Sequence, residues 1–531
     1  MQNLCQTSVR ARAVLAQNRM SDPNGLNSKQ HRKRRGLSTL LLLGAALSVS
    51  ACSTTANLIK PTDVSLDDVV PVQADWAEYA PDTLPTTDWV QSFGDKQLST
   101  IVAMGQRDNP SIRRAVAQLE SSFAQQRISR ADLYPQVGFS SRVSRNEGGT
   151  GFFAGSTSYS VGFNASWEVD VFGRVRDQVT ANGAAIQASD ADVAALRLSI
   201  ASQIASAWFD AIEADLLVDL SARDIATQRR SLRLTERRFE NGLTGSSDVR
   251  LARSNVANSQ ALEQSRLQNR DATIRNLQTL MRAYPNAQLD LPERLPDLPQ
   301  FEGAGAPQDM LRRRPDVIAA EARIVEAGLN VDVARKALYP SLSLTSSVSD
   351  EALDGGNSSA NLLDVLDLSA IAYSLAASVT APLFQGGRIR AQIDAREQQL
   401  AAQFETYAET VLSAYREVEN ALDAEDRLRL REEALQIALE EAQFAERRLE
   451  TRYVEGLATI LQLLDAQSRR LNAEGQLIGA QAERLSNRVR LHVALGGNGY
   501  IPGAEIIEAA EPENQIDAII PDTSIFESLS P

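Results

Sequence analysis

Side chains able to do covalent or metal chemistry are scarce in this sequence. Among 531 residues there are two cysteines, Cys5 and Cys52, and two histidines, His31 and His492. Two cysteines permit one disulfide at most, and neither count suits a Cys/His metal site. His492 falls in heptad register after Leu485, the place of a helix-packing residue. Gly149-Thr150-Gly151 with Ala154 matches G-x-G-x-x-A, but it lies in a stretch that reads as a hairpin loop, not between a strand and a helix. No P-loop and no HExxH occurs. Carboxylates are plentiful, yet they lie on heptad surfaces, where solvation is the default. The pattern points away from an enzyme and implies no cofactor. A formal charge of -14 and a pI of about 4.9 argue against a nucleic-acid partner, whose footprint is basic.

Cys52 is the exception, and its setting gives it a chemistry. Lys29-Gln30-His31-Arg32-Lys33-Arg34-Arg35 precedes a mostly apolar run from Leu37 to Val49. A basic segment ahead of a short apolar one reads as a signal peptide, residues 1–51, too short for a spanning helix. Residues 1–19 fit no targeting pattern, so Met20 is a possible true start. The run ends in Val49-Ser50-Ala51-Cys52, which resembles the lipobox of bacterial lipoproteins. Small residues admit the signal peptidase, and the Cys52 thiol takes a diacylglycerol. Ser53 in place of Asp resembles lipoproteins sent on to the outer membrane. Each buried CH₂ of such an anchor contributes about 0.8 kcal/mol. Cleavage removes eight Lys/Arg and Asp22, leaving 46 basic and 67 acidic residues, a net charge of -21.

The elements that carry the remaining residues come in two copies. Proline is absent from 136–284 and 383–501, while six prolines crowd into 285–315. That distribution predicts two long helical regions joined by an irregular linker, 285–309. Leu133-Tyr134-Pro135 recurs as Leu338-Tyr339-Pro340 at an offset of 205. Arg174 and Arg176 recur as Arg388 and Arg390, and Gly242-Leu243 as Gly456-Leu457, at an offset of 214. A first unit over 105–284 and a second over 310–497 are therefore one structure used twice. Residues 52–104 form a lipidated, extended lead-in. The tail, 498–531, has seven acidic residues and no basic one, the composition of a solvated segment.

Within each copy two segments alternate strictly between apolar and polar. Tyr159 to Val171 and Tyr373 to Leu383 are the clearest, with Val137/Phe139/Val143 and Leu342/Leu344/Val348 as partners. Period two predicts strands near 136–147, 157–172, 341–350 and 371–384. Strands of about ten residues with one apolar face suit a transmembrane barrel. A soluble half-buried sheet has the same alternation; the lipid anchor and the helices turn the reading toward the barrel. Leu457, Leu464, Leu471, Ile478 and Leu485 step by seven, a coiled-coil seam, while copy one has polar residues at several corresponding places. The long helices from Arg176 and Arg390 outreach those after the turns, so the short helices starting at Pro110 and Pro315 must stack end to end on the latter. Four strands cannot close a barrel, so copies must combine, as eight strands in a dimer or twelve in a trimer.

Asp88-Trp89-Val90-Gln91-Ser92-Phe93-Gly94-Asp95, Arg313-Arg314-Pro315-Asp316-Val317, Pro382-Leu383-Phe384-Gln385-Gly386-Gly387-Arg388 and Leu464-Asp465-Ala466-Gln467 occur in this order. With the duplication they cover about 88–497, and the whole resembles the TolC-like outer-membrane factors, in the NodT-type lipoprotein branch. The resemblance implies an α+β membrane protein. Its long coiled-coil helices would form a periplasmic α-barrel, and each chain of a homotrimer would add four strands to a twelve-stranded barrel. It implies an exit duct for a tripartite multidrug or xenobiotic efflux pump, or for type I protein secretion. The partners would be a periplasmic adaptor and an RND or ABC inner-membrane transporter.

Carried over residue by residue, Leu461 and Asp465 match the family's periplasmic gate. Three leucines would make a dry plug and three aspartates a cation-favouring ring. The alternative is that Leu461 is coiled-coil core and Asp465 a solvated face. Copy one has Ser247 and Leu251 there, so the gate rests on copy two. The turns Gly242-Leu243-Thr244 and Gly456-Leu457-Ala458 resemble the tips that receive the adaptor, although glycine also serves a chain reversal by itself. The rival to the duct is a periplasmic coiled-coil lipoprotein without a channel.

Overall fold

The structure, a computed structural model, describes residues 75–77, 83, 88–146, 156–354 and 371–500. The chain divides into the units Met1–Lys60 and Pro61–Pro531, and every described residue belongs to the second. The leader, Cys52, Gly149-Thr150-Gly151 and the tail beyond Tyr500 lie outside the described residues.

The alternating stretches form β1 (Gln136–Asn146), β2 (Ser156–Val169), β3 (Ser341–Asp354) and β4 (Ala372–Thr380). They make one antiparallel sheet in chain order. Its register is the informative part. Phe139 stands opposite Phe163, Phe163 opposite Val348, and Val348 opposite Tyr373. Because side chains alternate in direction, that one row brings the apolar residues of all four strands to a single face. The other face carries hydroxyls that pair across strands, Ser144 with Ser158 at 2.6 Å, Ser343 with Ser378 at 2.7 Å and Ser347 with Ser374 at 2.8 Å. β1 and β4 are the edges.

Two strands are shorter than the alternation predicts. β2 stops at Val169 because the Asp170 carboxylate turns back to accept the backbone N–H groups of Val175 and Arg176, at 3.1 and 3.0 Å. That caps the helix that follows and takes the chain out of the ladder. β4 stops at Thr380, shortly before Pro382, which has no N–H to offer a ladder. Gly386 and Gly387 then turn the chain at φ of +59° and +86°. β3 instead runs on from 350 to Asp354, because β2 pairs with it as far as Thr157.

The helices are α1 (Trp89–Ser92), α2 (Lys96–Asp108), α3 (Pro110–Ala131), α4 (Arg174–Glu240), α5 (Ser246–Leu280), α6 (Pro307–Arg313), α7 (Pro315–Lys336), α8 (Arg388–Val454) and α9 (Ile460–Ala494). None is long and apolar enough to cross a membrane. α4 and α8 each reach about 100 Å and α5 and α9 about half that. Stacking makes up the difference. The Asn109 side chain donates to the Leu280 carbonyl and accepts from the Ser111 N–H, both at 2.8 Å, joining α5 to α3. Arg314, buried, donates to the Ala494 carbonyl at 3.0 Å and pairs with Asp316 and Glu417 at 2.7 and 2.9 Å, joining α9 to α7.

The largest apolar core lies midway along α4, where Ile204, Trp208, Phe209 and Ile212 are buried. The Asp88–Asp95 motif straps the N-terminal segment to it. Phe93 packs on Phe209 with ring centroids 5.3 Å apart. Asp95 caps α2 and takes the Trp208 indole N–H at 2.8 Å. Trp89 stacks on His492 at 6.2 Å. Burial, and then the charge of Arg488, pushes the His492 pKa from 6.5 down to about 4. The folded chain thus holds neutral imidazole. The stability this packing contributes is complete above about pH 6.5 and falls as pH drops from there through about 4. The urea midpoint of the purified chain is expected to fall over that window. His492→Phe should remove on the order of 3 kcal/mol of that dependence. An unchanged profile in the variant would exclude His492 as its source.

Candidate functional site

The helices reverse at two turns remote from the sheet, and both use one backbone device. After α4, Leu243 N–H bonds to the Arg238 carbonyl at 2.8 Å and Gly242 N–H to Phe239 at 2.9 Å. After α8, Leu457 N–H bonds to Arg452 at 2.7 Å and Gly456 N–H to Tyr453 at 3.1 Å. This is the Schellman arrangement, and it needs a left-handed residue, supplied by Gly242 and Gly456 at φ of +71° and +80°. The leucine after each glycine ordinarily folds back on its own helix. Here Leu243 and Leu457 are each 65% exposed. Thr244 and Ala458 are half-buried; the Thr244 hydroxyl donates to Asp248, and Ala458 packs against the apolar cluster that opens α9.

The second turn leads into α9 through a capping box, Thr459 with Gln462. Ile460, Leu463 and Leu464 then point into an apolar cluster with Tyr453 and Leu251. Leu461 does not; it is 64% exposed. Within one chain Leu461 packs into no core. Asp465 lies one turn on, exposed on the same side by its i, i+4 spacing. It is not a bare carboxylate, because Arg469 Nε donates to it at 2.8 Å. In copy one Ser247 is exposed, as Leu461 is, but Leu251 is half-buried in the cluster where Asp465 is exposed.

The two turns are tied together by side chains that the heptad pattern does not single out. Tyr453 is buried, its hydroxyl 3.0 Å from that of Thr235. Arg238 reaches across from α4, donating to the Tyr453 carbonyl at 2.5 Å with its guanidinium 4.8 Å above the tyrosine ring. One turn further, the Gln467 amide donates to the Ser231 hydroxyl at 3.0 Å, both side chains buried. Beyond that, Arg470 lies between Glu446 and Glu474 at 2.5 and 2.7 Å, and Arg223 of α4 reaches Glu474 at 2.9 Å. Burial pushes the Glu446 carboxyl up, against the pull of Arg470. The faint sequence signal for this clamp is the pair Ser231 and Thr235, polar residues four apart in copy one.

Residues 105–283 and 306–497 match the outer membrane efflux protein family. The chain is 29% identical over 484 residues to the outer membrane protein OprJ of Pseudomonas aeruginosa, covering 89% of this chain and 97% of OprJ. It is 29% identical over 456 residues to the antibiotic efflux pump outer membrane protein ArpC of Pseudomonas putida, covering 81% of this chain and 90% of ArpC. The solved outer-membrane channel OprN superposes with a TM-score of 0.72 at 26% identity, covering 81% of this chain and 97% of that one.

The geometry of the clamp makes a local prediction. Tyr453→Phe removes one buried hydroxyl contact and leaves Thr235 with only its bond to the Ser231 carbonyl. Protection of the α8 C-terminal amides against hydrogen exchange is expected to weaken by about 1 kcal/mol, with the α4 core unchanged. Equal protection in both proteins would mean that this contact does not hold the tip.

Proposed function

The chain belongs to the outer membrane efflux protein family, and from that premise we propose that it is the outer-membrane exit duct of a tripartite efflux pump. It resides in the outer membrane, with its helices in the periplasm. Three copies each add four strands to one barrel and their helices to one tube. The observation that carries the reading is the sheet register, which gives every strand one face for lipid and one hydroxyl face for water. A diacylglycerol on Cys52 provides a second attachment. The exposed Leu243 and Leu457 receive a periplasmic adaptor, which connects the duct to an RND or ABC transporter in the inner membrane. Small xenobiotics, antibiotics among them, are the cargo, supported by the named role of ArpC. The protein transports and catalyses nothing.

Three Leu461 side chains form the dry part of the gate, and three Asp465–Arg469 pairs the charged part. An exposed pair of this kind is worth about 0–1 kcal/mol, so the ring rearranges at little cost. In planar bilayers the wild-type protein is expected to form low-conductance, cation-preferring pores, with Leu461→Ala raising conductance. Asp465→Ala leaves Arg469 unneutralised, so conductance rises while the reversal potential moves toward anions. Arg469→Ala moves it toward cations. Reversal potentials unchanged in both charge variants would remove the ring from the gate, and a wild-type protein without conductance would sink the duct itself. At the tips, Leu243→Asp and Leu457→Asp are expected to weaken adaptor binding by about tenfold or more, the scale of a lost interface anchor. Undiminished site-specific cross-linking to the adaptor would rule the leucines out.

A further inference from the structure

β1 and β4 end the sheet, and an open edge in hydrocarbon leaves backbone N–H and C=O groups unpaired. The internal duplication says how a second copy satisfies them. An offset of 205 carries β1 onto β3, and an offset of 214 carries β2 onto β4. The two hairpins obey these offsets residue for residue. Gln136 stands opposite Ser166, and their counterparts Ser341 and Thr380 stand opposite each other. The duplication therefore describes backbone pairing as well as sequence.

One seam between hairpins is visible within the chain, β2 to β3, where Ser166 opposes Thr345 and Phe163 opposes Val348. The same offsets carry Ser166 to Thr380 and Thr345 to Ser140. They carry Phe163 to Ala377 and Val348 to Val143. We propose that β4 of one copy pairs with β1 of the next in this register, with Thr380 opposite Ser140, Val379 opposite Ser141 and Ala377 opposite Val143. The proposal rests on the trimeric-barrel reading and specifies its seam.

Two features agree with it. The first is parity. Val379 and Ala377 belong to the apolar face, as do Val143 and Ser141, so the lipid-facing surface continues across the seam. A slip by one residue would turn serines to lipid and valines to water. On the inner face the same register sets Thr380 against Ser140 and Ser378 against Arg142, prolonging the row of polar pairs. The second feature is stagger. From Gln136 through Ser166 the ladder arrives at Thr345, the counterpart of Ser140, a step of four residues per hairpin. The proposed seam repeats that step, and a uniform stagger is what closure requires. A slip by two residues keeps parity but makes the seams unequal.

Disulfide trapping in the full-length protein tests this in outer membranes. Neighbouring antiparallel pairs alternate between Cα spacings of about 4.5 and 5.5 Å, so two double variants cover both kinds. They are Val379→Cys with Ser141→Cys, and Ser378→Cys with Arg142→Cys. At least one is expected to give reductant-sensitive dimers and trimers on denaturing gels. Val379→Cys combined with Phe139→Cys or Val143→Cys should give about tenfold less, each partner lying two residues, roughly 7 Å, off register. Stronger trapping through Phe139 or Val143 overturns the register, as does the absence of trapping from both proposed pairs in a protein that sediments as a trimer. A wild-type protein that sediments as a monomer overturns the trimeric reading, and the seam with it.

Discussion

The constraint on which the rest depends is that hydrocarbon offers no hydrogen bonds. A spanning sheet must therefore pair every backbone group within protein and keep one face apolar. In this chain the apolar residues of four strands reach one face only because three registers agree, through the row Phe139, Phe163, Val348 and Tyr373. The requirement extends down the molecule. Strands held in register fix where α4 and α8 begin, through Asp170 on one side and the two glycines before Arg388 on the other.

The helical part answers to a different solvent and is built with a different mixture. Midway along, tryptophan, phenylalanine and isoleucine are buried together, and the buried Arg314 ties three segments at once. Toward the turns polar contacts, through Ser231, Thr235, Gln467 and the Arg470 network, join α4 to the α8–α9 pair beside the apolar cluster that Leu234 enters. The duplication is thus symmetric in the sheet and asymmetric near the turns. Leu251 serves packing in copy one, while its counterpart Asp465 stands exposed in copy two.

How much of this was legible follows from the range of each interaction. Strand faces were readable because period two is local, and end-to-end stacking because helix length is arithmetic. Strand ends were not, since Asp170 alternates with its neighbours yet leaves the ladder to cap a helix. Leucines at intervals of seven predict a coiled-coil seam. In the structure Leu464 and Leu485 are buried, Leu471 and Ile478 half-buried, and Leu457 exposed. Leu457 is exposed because it lies in the turn before α9, and within α9 a spacing of seven drifts by about 20° per repeat, so the stripe is not buried evenly. The Tyr453 clamp joins residues more than two hundred positions apart, and no local pattern reports it.

The two ends differ in what it costs to separate them. At the tip, each neutral hydrogen bond contributes about 1 kcal/mol net, because water replaces it when it breaks. The cation–π contact of Arg238 adds about as much again. Breaking the polar contacts of α4 with Tyr453 and Gln467 therefore costs a few kcal/mol. At the sheet, water is absent, and each backbone group left unpaired in hydrocarbon costs several kcal/mol. The nine residues of β4, paired with β3, cannot part on that scale. Polar contacts in water and backbone pairing in lipid, joined by helices of about 100 Å, give a chain whose sheet end is held more firmly than the polar contacts of its turn end.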